Sequence, residues 1–393
     1  MRLHVTRYES SCSSVYGAYL GSPKPRCDRL VGSTRQEDLK HMKALTIEPG
    51  KANSAELHDV SAPAPKDGSI VVKALELGLC GTDFELISAE YGWAPPGTNQ
   101  LVIGHESLGE VQEAPDGSGY SKGDLIVGIV RRPDPVPCSA CAVGQFDMCR
   151  NGKYTERGIK ERNGFGSEMW RVEPEYSVRL DPSLRPVGVL TEPTSVVSKA
   201  WDHVTKIGQR AAWKPKTALI TGAGPIGLLA AMIGVQRGLE VHVLDRVDSG
   251  PKPQLVHDLG AHYHTGPLKN LGFCPDVTIE CTGVASVIVE TITQLGNDGI
   301  LCLAGVSSHN QNMNIDIGTM NRTMVLDNQV IFGSVNANRH HWEMAEKYLC
   351  KADRGWLSRL ISRREPLSNW KSALQRHPDD IKVVLDFSSS KTQ

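Results

Sequence analysis

Residues 216–246 read KTALITGAGPIGLLAAMIGVQRGLEVHVLDR, and this run decides the fold. Ala218–Thr221 is a short apolar strand, Leu228–Gln236 an apolar helical stretch, and Val241–Leu244 a second strand ending at Asp245. Between the first strand and the helix lies Gly222-Ala-Gly224-Pro225-Ile226-Gly227, a G-x-G-x-x-G turn. Gly222 permits the tight turn, Gly224 lets backbone approach a pyrophosphate, and Gly227 lets the helix pack closely on the strand. The free N–H groups of the helix start favour the anion. Asp245 lies 18 residues past Gly227, where a carboxylate would hold a ribose diol. A dinucleotide site follows, with NAD favoured because a carboxylate repels a 2′-phosphate. Arg246 could accept that phosphate, so NADP stays open. Thr217–Val235 also spans 19 residues without a charge, long enough to cross a bilayer. The glycines and Pro225 near its start break it, so the expectation is strand, turn and buried helix.

Downstream, three more apolar runs read as strands: Asp276–Ile279, Gly299–Ala304 and Val330–Phe332. Alternation of strands with helices implies an α/β fold with a doubly wound parallel sheet. The turns after these strands supply further cofactor-facing candidates, namely Thr282, Gly305, Val306, Ser334 and Asn336. Cys281 and Cys302 lie within the apolar runs and read as buried structural thiols.

The wider composition fits this picture. The chain has 393 residues, 43 Lys+Arg against 44 Asp+Glu, 40% hydrophobic and 22% charged residues. That length suggests two or three domains. The balanced charge offers no basic stripe, which argues against nucleic acid and anionic membrane as partners. Ten cysteines are too few for a disulfide scaffold, and four of them crowd one region, pointing to metal or catalysis in a reduced, cytoplasmic setting. Residues 1–41 carry no sustained period and no signal-like apolar core. They are expected to form a disordered extension, with a first strand opening at Met42.

Two upstream patches carry metal-type chemistry. The first is Cys80-Gly81-Thr82-Asp83, then Gly104-His105-Glu106, then Leu190-Thr-Glu192-Pro193. Any one of these residues alone reads as structural, but a thiolate, an imidazole and a carboxylate together suit a catalytic zinc with an open position. The second is Cys138-x2-Cys141-x7-Cys149 in a Pro/Gly-rich loop, which suggests a closed structural zinc site in need of a fourth ligand. Asp134 is the nearest upstream acid and the candidate, with Asp147 second.

On these motifs, residues 42 to about 390 resemble the zinc-dependent medium-chain dehydrogenases, the superfamily of alcohol, sorbitol and threonine dehydrogenases. The resemblance implies a GroES-like β-rich catalytic domain over 42–197, with a structural-zinc lobe at about 131–152. A Rossmann cofactor domain would span 198–336, and 337–393 would return to the catalytic domain. It also implies Cys80, His105, Glu106 and Glu192 around a catalytic zinc, with Glu106 either a direct ligand or a partner behind the metal. Asp83 reads as a supporting residue. The family usually has four cysteines in the structural lobe; here the first is absent.

Within the superfamily the likeness is strongest to the glucose 1-dehydrogenase group, through Arg131–Asp134, Asp147–Gly152, Tyr154–Ile159 and Gly333–Asn338. There the positions matching Glu156, Glu192 and Asn336 lie around the sugar hydroxyls, with Thr82 near the reacting hydroxyl. Some members carry Asn where this chain has Val130, which removes one sugar contact. The implied reaction is oxidation of an aldose at C1 to the aldonolactone, with zinc and NAD(P), in a homodimer or homotetramer. Polyol or secondary-alcohol oxidation is the alternative enzyme reading, and a non-enzymatic NAD-binding sensor the alternative outside catalysis.

Overall fold

The structure, a computed structural model, describes residues 41–307 and 312–388. The expected disordered extension therefore lies outside the described residues, apart from His41. The first strand, His41–Ile47, begins one residue before the expected start and pairs with Glu56–Ser61 and Leu101–Val102.

The β-rich sheet is built on two long neighbours. Strand β1 (Ile70–Leu79) leads straight into helix α1 (Gly81–Ile87), and strand β2 (Glu106–Glu113) runs antiparallel to β1. Most of β1 is buried because both faces are covered, which is why it reads as a continuous apolar run. Gly78 pairs with Glu106 across the ladder. A Cβ on Gly78 would lie 2.0 Å from Glu106 Oε2, so only glycine leaves room for that carboxylate. Leu125–Gly128 and Ser177–Arg179 extend the sheet beyond β2.

Next in the chain come helix α2 (Thr191–Gly208) and strand β3 (Thr217–Thr221), followed by helix α3 (Pro225–Gln236) and strand β4 (Glu240–Leu244). Strands β5 (His262–His264), β6 (Val277–Glu280), β7 (Ile300–Leu303) and β8 (Val330–Gly333) complete a sheet in the order β5-β4-β3-β6-β7-β8. Every pair in it is parallel. This is the doubly wound sheet the glycine turn predicts. The charge-free stretch divides as expected into β3, the turn and α3. The helix opens at Pro225, three residues earlier than expected, because proline is pre-set for a first helical position. At 12 residues it is about 18 Å long. No helix among the described residues is long and apolar enough to cross a membrane. Strand β5 is unanticipated, since His-Tyr-His has no apolar alternation.

Helix α4 (Arg339–Lys351) packs against α2, and strand β9 (Lys382–Asp386) runs antiparallel to β1, setting Val384 opposite Gly78. The C-terminal stretch thus returns to the β-rich sheet built on β1 and β2. The largest core joins α2, α3 and the parallel sheet, where Trp201 donates its indole N–H to the Ala230 carbonyl at 3.0 Å.

Candidate active site and metal-binding clusters

Cys80 directly follows β1 and caps the N-terminus of α1; His105 directly precedes β2. The ladder between β1 and β2 brings them together, and Cys80 Sγ lies 2.9 Å from His105 Nε2. Ligand atoms from Cys80, His105 and Glu106 fall within 4.8 Å of one another. A thiol, an imidazole and a carboxylate this close, in a largely buried place, are a donor set suited to zinc. Asp83 is fully buried; its Oδ2 accepts the Cys80 N–H at 2.9 Å, and its Oδ1 sits 3.6 Å from His105 Nδ1. It therefore braces both the thiol-bearing backbone and the far side of the imidazole.

Glu106 has a partner the sequence reading did not supply. Lys382, from β9, reaches across β1 and places Nζ 2.6 and 2.7 Å from the two Glu106 oxygens, while also donating to the Leu79 carbonyl at 3.1 Å. Desolvation opposes the charge on Lys382, but Glu106 and then Cys80 outweigh it and hold its pKa above the ordinary lysine value. Glu192, in the first turn of α2, has its carboxyl pushed up to about 7 by burial, with His105 pulling the other way and Glu106 adding to the rise. Glu192 is thus electrostatically part of this cluster. Thr82 is the second residue of α1.

In the second patch the three thiols do meet: Cys138, Cys141 and Cys149 place their sulfurs within 4.8 Å of one another. The Arg150 N–H points at Cys138 Sγ at 3.4 Å, and this bond, with the Cys141 N–H, draws the Cys138 thiol down to about 6. Burial pushes Cys141 up to about 11. Asp134 is buried, yet its carboxylate faces elsewhere, accepting the Val136 N–H at 2.9 Å and the Asn151 amide at 2.5 Å. Asp147 is turned away too: it pairs with Lys199 of α2 at 2.8 Å and accepts from Asn338 at 2.9 Å.

Glu156 and Asn336, far apart in the chain, are joined by an Asn336 Nδ2 to Glu156 Oε1 bond of 2.8 Å. Arg131 adds a 3.0 Å bond from Nε to the same oxygen and stacks on Tyr154, 3.7 Å from the ring centroid. Asn336 adopts a left-handed backbone, φ 59°. Lys199 donates to the Val335 carbonyl at 3.0 Å, so the loop carrying Asn336 is tied to α2. Lys199 and Lys382 escape the sequence reading because each is buried against partners distant in the chain, Asp147 and the Val335 carbonyl for Lys199 and Glu106 for Lys382, and a lysine is costly to bury unless paired.

The cofactor candidates line the carboxyl ends of β3, β6, β7 and β8. Gly222 has φ 89°, and a Cβ on Gly227 would meet the Gly222 carbonyl oxygen at 1.7 Å, whereas one on Gly224 would meet nothing. The open space over Gly224 is where an anion would approach the start of α3. Pro225 and Ile226 form its first turn, with Ile226 against the core. Asp245 accepts the Ala223 N–H at 2.6 Å, and Lys252 lies 3.8 Å from it; Arg246 is exposed. Thr282 is positioned by Glu280, a fully buried acid that accepts its N–H at 2.7 Å and the Thr221 hydroxyl at 3.1 Å. Gly305 and Val306 follow β7, Val306 being 76% exposed. The Ser334 hydroxyl is buried without a partner, an orphan that a bound molecule would satisfy.

Comparison with known proteins agrees with this geometry. A family model described as "Alcohol dehydrogenase GroES-like domain" matches residues 66–182, and one described as "Glucose dehydrogenase C-terminus" matches 185–387. The glucose 1-dehydrogenase of Methanocella arvoryzae is 39% identical over 359 residues, covering 88% of this chain and all of that protein. That of Thermoproteus tenax is 38% identical over 354 residues, with the same coverage of both chains. The structure of Haloferax mediterranei glucose dehydrogenase in complex with NADP, Zn and gluconolactone superposes with a TM-score of 0.82 at 31% identity, over 88% of this chain and 100% of that one.

Proposed function

The chain belongs to the glucose dehydrogenase family of zinc-dependent medium-chain dehydrogenases, and from that membership we propose that it oxidises a glucose-type aldose at C1 to the aldonolactone, transferring hydride to NAD(P). The observation that carries this reading is the convergence of Cys80, His105 and Glu106 within 4.8 Å. A complex of the Haloferax mediterranei neighbour with NADP, Zn and gluconolactone supports the substrate and product class.

Cys80, His105 and Glu192 would hold the catalytic zinc; Glu106, with both oxygens on Lys382, joins them as a ligand only by giving up that cation. A zinc ion held there would supply the Lewis acidity that lowers the pKa of the anomeric hydroxyl, and a bound nicotinamide would supply the hydride acceptor. In the oxidation the C1–H bond breaks with its electron pair, the O1–H proton leaves, and C1–O1 becomes the lactone carbonyl. Thr82, two residues after Cys80, is the hydroxyl that takes and passes on that proton. Glu156, aimed by Arg131 and Asn336, presents acceptor oxygens to the sugar hydroxyls. Glu192 shares that role where its oxygens are free of metal. Cys138, Cys141 and Cys149 would hold the structural zinc, with Asp134 as fourth ligand once it leaves Asn151.

The cofactor is NAD or NADP. Asp245 favours a free ribose diol, while Arg246 and Lys252 offer cations to a 2′-phosphate at the same corner. Gly222, Gly224, Pro225, Ile226 and Gly227 would cradle the pyrophosphate, and Thr282, Gly305, Val306, Ser334 and Asn336 would flank the nicotinamide half. The division into 42–197, 198–336 and 337–393, the homo-oligomeric state and a cytoplasmic setting belong to the same reading. The last agrees with all eight described cysteines being free.

Initial rates on glucose, galactose, xylose, sorbitol and threonine, with NAD and NADP side by side, test it. Aldose oxidation that is lost on chelation and in Cys80→Ala is the expected result. Turnover of sorbitol with no aldose oxidised would replace it with the polyol reading. Cofactor binding with no zinc requirement would replace it with the sensor.

A further inference from the structure

A third cluster of metal-ligating side chains sits on the edge of the parallel sheet, away from both thiol-containing clusters. Strand β4 opens Glu240-Val-His242, and its edge neighbour β5 is His262-Tyr-His264. Alternation along a strand puts Glu240 and His242 on one face, and likewise His262 and His264. The parallel register sets His242 beside His262, so all four share a face. Glu240 and His262 open their strands, at the end of the sheet opposite Asp245 and the glycine turn.

The side chains converge there. Glu240 Oε1 lies 3.4 Å from His242 Nε2 and 3.7 Å from His262 Nε2. One ligand atom from each of these residues falls within 4.8 Å of the others. The His242 and His262 rings stack with centroids 4.8 Å apart. Behind them His264 Nε2 meets His242 Nδ1 at 2.9 Å, and the Phe273 ring lies 4.1 Å from His242 on centroids. The His264 bond occupies Nδ1 of His242 and so leaves its Nε2 directed at Glu240 and His262. That is how a ligating imidazole is held by a partner on its other nitrogen.

We propose that Glu240, His242 and His262 form a further metal site, for a borderline divalent ion such as Zn²⁺, Co²⁺ or Ni²⁺, with His264 as the residue that orients His242. Two imidazoles and one carboxylate suit these ions, while Mg²⁺ and Ca²⁺ prefer oxygen alone. Glu240 and His262 are 58% and 59% exposed at their side chains, so water can complete the coordination. Ligands from both strands make the ion a clip that fastens the three-residue β5 to the sheet.

The test uses Co²⁺ as probe on the full chain, stripped with chelator, in wild type and in the double variant Glu240→Gln/His262→Gln. Both substituted residues are exposed, which spares the core. Elemental analysis after desalting counts bound Co²⁺, and the sulfur-to-cobalt charge-transfer band reports the thiol clusters separately. The variant is expected to hold one equivalent fewer per chain, with the charge-transfer band and aldose oxidation unchanged. His262→Gln alone is expected to weaken this equivalent at least about tenfold, the lower bound set by losing even an outer-shell partner. Equal Co²⁺ counts in wild type and variant overturn the proposal. Since the count does not depend on turnover, an enzyme inactive on every aldose leaves this result standing on its own.

Discussion

A single lysine shows how strongly this site depends on paired charge. Lys382 and Glu106 are both fully buried, and each is the other's main charged partner. Removing one member of such a pair leaves the other uncompensated in a dry place, which typically costs about 3–5 kcal/mol. Lys382→Met should therefore lower stability by about that amount in urea denaturation. The double variant Lys382→Met/Glu106→Gln should recover most of the loss; a double variant no better than the single would show that packing rather than charge is responsible. The ligand types themselves were legible in the sequence, because Cys80, His105, Glu106 and Glu192 stand in short, specific contexts. Lys382 was not, because its partner is 276 residues away and only the β9–β1–β2 ladder brings them together. The fourth ligand of the structural lobe is less legible for a related reason. Asp134 is near the thiols in sequence, but its oxygens follow local partners, Val136 N–H and Asn151.

At the scale of elements, α2 and α4 are locked together through His341. Its Nε2 lies 3.2 Å from Asp202, and its Nδ1 4.0 Å from Asp147, with Lys199 and Lys206 also paired to these acids. Burial pushes the His341 pKa down to about 4, against the pull of Asp202 and Asp147. An unfolded histidine titrates near 6.5. Between those values the unfolded chain binds a proton that the folded chain does not. This contribution to stability is complete above about pH 6.5 and is lost as the pH falls toward about 4, amounting to about 3 kcal/mol. His341→Gln keeps a group able to donate to Asp202 but removes the titration. The wild type minus variant stability, measured in urea from pH 7 to pH 4.5, should fall with acid; a flat difference would refute the assignment. The elements in this lock were foreseeable in kind, since helix and strand periods are local. The six-stranded order was less so at its edge, where β5 is held by register and not by apolar pattern.

For the whole molecule, the glycine turn and the zinc motifs were enough to set the architecture, because each encodes a backbone shape or a donor set that few folds accommodate. Surface association is encoded more diffusely. Strand β8 ends the parallel sheet, so one side of its backbone has no neighbour among the described residues. Close to it in the chain, Ile317, Val325, Leu326 and Val335 are 58–66% exposed. An open strand edge beside exposed apolar side chains is a hazard unless something covers it. A second copy covers it most simply, by an isologous contact about a twofold axis in which the same edge and the same side chains meet themselves. The chain should then elute in light-scattering chromatography at a multiple of its 42.8 kDa mass. Leu326→Lys, which places two like charges across the axis and disturbs no core, should shift that population toward the single chain, more so at low salt, where the repulsion is least screened. A single-chain mass for the wild type, or a multiple that Leu326→Lys leaves untouched at low salt, would remove this face from consideration as the contact.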